Sequence, residues 1–232
     1  LEGGEMKIRD IEIDNRKIAF LLIFSAMGLL MYQLNFSEII GAEGQQFTLF
    51  QFIGPIGAGI LGPVGGALSV LAVEATNFIF TGKEFELLNL VRLLPMAFAA
   101  IYFGTKNKSS ALVAAACMAL FWMHPEGSAA WIYALYWIIP IGAAFYKKNL
   151  FVRSLGTTFT AHAVGSTVFL YALNLPAEVW MALIPIVAVE RLLFASGISV
   201  SYYAVNSLLE AFSSKIDLGF LNIEKKYSLL KQ

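Results

Sequence analysis

GPVGGALSVLAVEATNFIF, residues 62–80, is the stretch whose reading decides the fold. It opens on Gly62-Pro63 and then stays apolar from Val64 to Phe80, with Glu74 and Asn77 as its only strongly polar side chains. A helix needs about 20 apolar residues, and at least roughly 17, to cross about 30 Å of hydrocarbon at 1.5 Å per residue. This run meets that length. A charge near the middle of such a helix costs about 2.5–3.5 kcal/mol on insertion scales, so Glu74 needs a partner or a purpose. Upstream, Gly54-Pro55-Ile56-Gly57 repeats the Gly/Pro theme inside the apolar run Thr48 to Leu61.

Further runs appear on both sides: Ile18 to Leu34, Leu87 to Gly104, Ser109 to Met123, Ala129 to Tyr146, Leu150 to Leu173, and Ala177 onward to about Phe212. Of 232 residues, 58% are hydrophobic and 14% charged, and the mean hydropathy is +0.70. Ordinary soluble domains are about 45–50% apolar and about 25% charged. Lipid is therefore the expected solvent, and the expected fold is an all-α, polytopic transmembrane helix bundle. Lys+Arg and Asp+Glu balance at 16 each, and no basic stripe suggests nucleic acid. The single cysteine, Cys117, excludes an intramolecular disulfide and a thiolate metal cluster.

Orientation follows from Lys and Arg, which favour the cytoplasmic side. They gather before residue 18, at Lys106 and Lys108, at Lys147, Lys148 and Arg153, and at Lys215, Lys225, Lys226 and Lys231. Segments 33–47, 124–128 and 174–178 carry none and are expected outside, with Lys83 opposing the pattern. This gives eight spans, or six to eight if Thr48 to Leu61 is re-entrant, with both termini cytoplasmic. The zones are a cytoplasmic segment 1–17, a bundle 18–212 and a cytoplasmic tail 213–232. Pro185 is expected to kink the final run and Gly197 to bend it. Ser201 to Ile223 is expected to leave the bilayer as an amphipathic helix.

The candidate ligand contacts are the ionisable and polar groups that these runs carry into the membrane: Glu74, Asn77, Arg92, His162, Glu190 and Arg191. Glu74 is expected to pair with Arg92 or Arg191, whereas Arg92 and Arg153, near span ends, read equally as snorkelling. Trp131, Tyr133 and Tyr136 form either an interfacial aromatic belt or a lid able to stack on a flat ligand. Gly54, Pro55, Gly62, Pro63 and Gly65 fit close helix packing around a sharp turn and, equally, a cavity wall with freed backbone groups. His124 and His162 sit at different depths, so no bis-histidine haem is expected, and neither a cofactor nor a metal is inferred. No phosphate-binding lysine loop, paired-histidine motif or nucleophile elbow occurs, which rules out an ATPase within this chain.

From Phe50 to Phe80 the sequence resembles the membrane-embedded substrate-binding S components of energy-coupling factor transporters. The resemblance rests on Gly59, Gly62, Pro63, Gly65 and Gly66 followed by Glu74 and Asn77. Leu90 to Gly104, with Arg92 and Pro95, and Ile184 to Ala204, with Pro185, Glu190 and Arg191, are similar to later helices of that family. The sequence departs from the family in helix count, eight against six, and in the spacing of Ala19 and Ala26. The resemblance implies capture of a vitamin-like micronutrient from outside and its release inward, driven by an ATP-dependent coupling module as partner. The expectation is a multi-pass cell-membrane protein that binds and takes up a small molecule. Two alternatives stay open: a membrane enzyme using His162 and Glu190 on a lipid or isoprenoid, and a ligand-free structural subunit.

Overall fold

The computed structural model describes residues 15–38 and 46–230. Most of the expected 1–17 segment, the middle of the first outside loop and Lys231 lie beyond those residues. The chain forms α1 (Asn15–Tyr32), a β1–β2 hairpin (Asn35–Glu38 and Gln46–Thr48), α2 (Phe50–Ile53) and α3 (Ile56–Phe80). It continues through α4 (Leu87–Val91), α5 (Leu94–Gly104), α6 (Ala111–Met123), α7 (Pro125–Ala129), a 3-10 run Trp131–Trp137, α8 (Ile138–Ala143), α9 (Leu150–Leu173) and α10 (Ala177–Ser213). The architecture is all-helical apart from the short antiparallel hairpin, in which Ser37 faces Phe47 and Glu38 faces Gln46.

Four stretches are long and apolar enough to cross a membrane: Asn15–Tyr32, Ile56–Phe80, Leu87–Gly104 and Ala177–Ser213. Many large apolar side chains on them face outward, among them Ile23 at 70% and Phe80 at 84% exposure. A water-soluble protein rarely leaves so much apolar surface uncovered, whereas lipid accepts it.

Gly54 and Pro55 separate α2 from α3 as the sequence suggests, but both keep right-handed helical dihedrals, so the chain does not reverse there and continues helically towards Leu61. The reversal comes at Gly62, with φ 83° and ψ 166°, a conformation essentially restricted to glycine. Beyond it the chain folds back on itself. A Cβ on Gly66 would fall within the backbone of Ala58, and one on Gly57 would lie 3.2 Å from the Ser69 hydroxyl. The two limbs therefore pack backbone against backbone, with the close approach at Gly66 rather than at Gly65.

α9 is the central post, packing against α5, α6, α8 and α10. Its buried face carries Ser154, Thr157, Thr158 and Thr160. Two of these hydroxyls return to the helix's own carbonyls, Thr157 to Arg153 and Thr160 to Gly156, each at 2.8 Å. That local bonding lets a polar face sit in a dry interior.

α10 runs for 37 residues through Pro185 and Gly197 without a break, and Gly197 serves packing: a Cβ there would lie 2.6 Å from the Phe52 ring. At 1.5 Å per residue α10 is about 55 Å long, well beyond the hydrocarbon thickness. No separate amphipathic helix follows it. Residues 214–230 instead turn back onto the helix ends, burying Leu221 and Tyr227.

The helix ends sort into two poles. One gathers Arg16, which pairs with Asp217 at 2.7 Å, and Lys147, which donates to the Tyr102 and Thr105 carbonyls. Arg153 lies there too, 6% exposed, bonded to Glu224 and to the Phe103 carbonyl at 2.8 Å each. Arg153 does not snorkel; the returning tail covers it.

Candidate functional site

At the opposite pole the helices diverge around a cavity of about 200 Å³. That is far more than the roughly 10–15 Å³ a single water requires. It brings together six of the residues singled out from the sequence: Glu74 and Asn77 from α3, Arg92 from the α4–α5 link, His162 from α9, and Glu190 and Arg191 from α10. They come from four separate parts of the chain, and the fold directs them into one space.

The expected Glu74–arginine pair is not formed. Glu74, 6% exposed, accepts a hydrogen bond from the Tyr32 hydroxyl at 3.1 Å, and among the described residues no cation lies within 4 Å of it. Arg191, 4% exposed, pairs with its own neighbour Glu190 at 3.2 Å and reaches Thr158 at 3.4 Å. Its guanidinium lies over the rings of Phe194 at 4.5 Å and Phe47 at 5.1 Å. Arg92 donates to Asn89 at 3.2 Å and lies over Phe169 at 5.1 Å. The Nε of each arginine is buried and finds no acceptor among the described residues.

His162 is held from both sides. The Trp137 indole donates to its Nδ1 at 3.1 Å, and its Nε2 meets the Tyr133 hydroxyl at 2.7 Å. Tyr133 in turn meets Ser166 at 3.1 Å. An indole N–H only donates, so Nδ1 must accept and Nε2 carries the proton. The bonds then run in one direction, from Trp137 through His162 and Tyr133 to Ser166. With both ring nitrogens committed to protein partners, His162 is a fixed wall of the cavity.

Trp131 and Tyr136 lie outside the cavity lining. Trp131 is 52% exposed, and its carbonyl accepts the Trp122 indole N–H at 3.0 Å. Tyr136 donates to the Ile184 carbonyl at 2.8 Å and stacks on Phe159. The aromatic lining comes instead from Tyr32, Phe47, Phe78, Tyr133, Phe169 and Trp180. Tyr32, Phe47 and Asn89 were missed, because nothing in their local sequence marks them. Lys83 was visible only as a cation on the wrong side of the topology. Among the described residues no three His, Cys, Asp or Glu side chains converge as metal ligands.

At the other pole, half-burial pushes the Glu224 carboxyl up. The hydrogen bonds from Arg153 and Tyr202, with the charges of Arg153 and Lys226, outweigh this and hold it below its usual range.

The chain is similar to an uncharacterized protein of Methanocaldococcus jannaschii, 25% identical over 211 residues, covering 81% of this chain and 70% of the relative. No family model and no solved structure matches.

Proposed function

We propose that this chain is a multi-pass cell-membrane protein that binds a small, vitamin-like solute at the outer face for uptake, in the manner of an energy-coupling factor S component. The observation that carries the reading is the position of the cavity. Glu74, Asn77, Arg92 and Arg191 line one space at the pole opposite the gathered lysines and arginines. By the preference of such cations for the cytoplasm, that space opens outward. Both termini then lie inside.

Eight crossings are consistent with the helix order: α1, the two limbs meeting at Gly62, 87–104, 108–123, 131–143, α9 and α10. The apolar stretches Lys108–Met123 and Trp131–Ala143 are shorter than a standard span and require a locally thinned bilayer. The sequence holds no nucleotide-binding motif, and the resemblance to S components supplies an ATP-driven module as the partner for uptake. The enzymatic alternative rests on His162 and Glu190 as acid and base; the bonds from Trp137 and to Tyr133 occupy both nitrogens of His162, and Glu190 is paired with Arg191.

Purified protein in lipid nanodiscs tests the reading. Its extract should contain a tightly held small molecule, or one member of a vitamin panel should raise its melting temperature, and Glu74→Ala should abolish that effect. An empty extract together with a flat panel would overturn the proposal.

A further inference from the structure

We infer, resting on the solute-binding reading above, that the ligand is a small planar monoanion: an aromatic or heteroaromatic carboxylate that also carries an N–H or O–H donor. The charge in the cavity points there first. Among the described residues Lys83, Arg92 and Arg191 face it against Glu74 and Glu190, which leaves one cation in excess.

The excess has a location. Arg191 is already matched by Glu190 at 3.2 Å and Lys83 is the cation whose charge acts on Glu74, whereas no carboxylate lies within 4 Å of Arg92 among the described residues. The neutral Asn89 side chain is its hydrogen-bond acceptor, and its Nε has none. A buried guanidinium N–H without an acceptor is costly, and an anionic ligand group that reaches it removes that cost. A carboxylate matches its planar fork.

The wall bearing Glu74 has the opposite character. Glu74 and Asn77 both line the cavity and present acceptor oxygens, and among the described residues only the Tyr32 hydroxyl donates to the Glu74 carboxylate. A ligand donor completes this side. Between the two walls lie rings. Phe47, Phe78, Phe169 and Trp180 line the space, and a flat aromatic ring is the shape such a lining receives. A neutral solute leaves Arg92 uncompensated, and a cationic one adds like charge.

Three probe sets at pH 7 decide the point, measured by thermal stabilisation and equilibrium binding on the nanodisc protein. They are 4-aminobenzoate and 3-hydroxybenzoate, their uncharged amides, and the cation benzylamine. The carboxylates should bind, and the amides and the amine should not. Arg92→Gln should weaken the carboxylates by about ten- to a hundredfold, the worth of a charged hydrogen bond. Arg92→Lys should restore part of that affinity, which separates lost charge from lost fold. Glu74→Gln should reduce the advantage of the donor-bearing rings over plain benzoate.

Binding of an amide or of benzylamine as tight as that of its carboxylate would overturn the assignment of class and leave solute capture standing. So would a co-purifying solute that proved neutral or cationic, or an Arg92→Gln protein with wild-type melting that kept full carboxylate affinity. No binding in any set, with an empty extract, would remove both.

Discussion

The indole N–H of Trp137 donates to Nδ1 of His162 at 3.1 Å, and that bond selects the tautomer of a buried imidazole beside the cavity. Because His162 then gives its Nε2 proton to Tyr133, nitrogen NMR on histidine-labelled protein at pH 7 should show Nδ1 as the unprotonated ring atom. His124 is the other signal in the spectrum. Trp137→Phe should blur this preference and lower stability by at least about 1–3 kcal/mol, the cost of stranding a buried acceptor.

The hairpin at Gly62 separates two kinds of glycine requirement. A Cβ at Gly62 meets nothing within 4 Å, so Gly62→Ala should cost only its backbone strain, about 1–3 kcal/mol. A Cβ at Gly66 meets the Ala58 backbone, which cannot yield as a side chain would. Gly66→Ala should therefore be the more damaging substitution, read as a lower melting temperature and a poorer yield of monodisperse protein.

Stability should fall in acid through Glu224. Its folded-state pKa lies below the ordinary carboxylate value, so its contribution is present above the unfolded pKa of about 4.5 and is lost as pH drops through the lower folded value. Glu224 accepts from Arg153 at 2.8 Å and from Tyr202 at 3.0 Å. Glu224→Gln should cost about 1.5–3 kcal/mol at pH 7. The gap from wild type should close towards pH 3, as followed by thermal melts in detergent.

The proposed orientation is checked by labelling from one side. In a Cys117→Ala background, Glu84→Cys and Ser128→Cys should react with an impermeant maleimide in intact cells. Lys106→Cys and Lys148→Cys should react only after the membrane is opened. The reverse pattern would invert the topology.

Much of the architecture was legible because membranes impose few rules. Apolar runs of spanning length read as helices, and the chain reverses at Gly62-Pro63 as expected, although the same residue pair at Gly54-Pro55 keeps helical dihedrals. The members of the site were legible for a related reason: Glu74, Arg92 and Arg191 are expensive in hydrocarbon, so each needed a destination. Their partners were not. Adjacent helical positions point in divergent directions, and local spacing gave no warning that Arg191 would fold back onto Glu190. Nor could it show that a tyrosine ending α1 would reach Glu74, or that Arg153 would be capped from residue 224. Tertiary proximity decides those pairings. The tail misled for the same reason: Ser201 to Ile223, with Glu210, Lys215 and Asp217, read as an amphipathic helix, whereas α10 ends at Ser213 and the chain beyond it turns back, Asp217 reaching Arg16 and the following Glu224 reaching Arg153.

The backbone N–H of Asn222 donates to the carbonyl of Ile60 at 2.9 Å, just where the turn at Gly62 leaves the first limb without its own continuation. Ile60 leaves the ribosome long before Asn222 does. The Ile60 carbonyl therefore waits for this donor until the tail has been made. A chain halted before residue 222 would hold every residue that lines the cavity and leave that carbonyl without its partner.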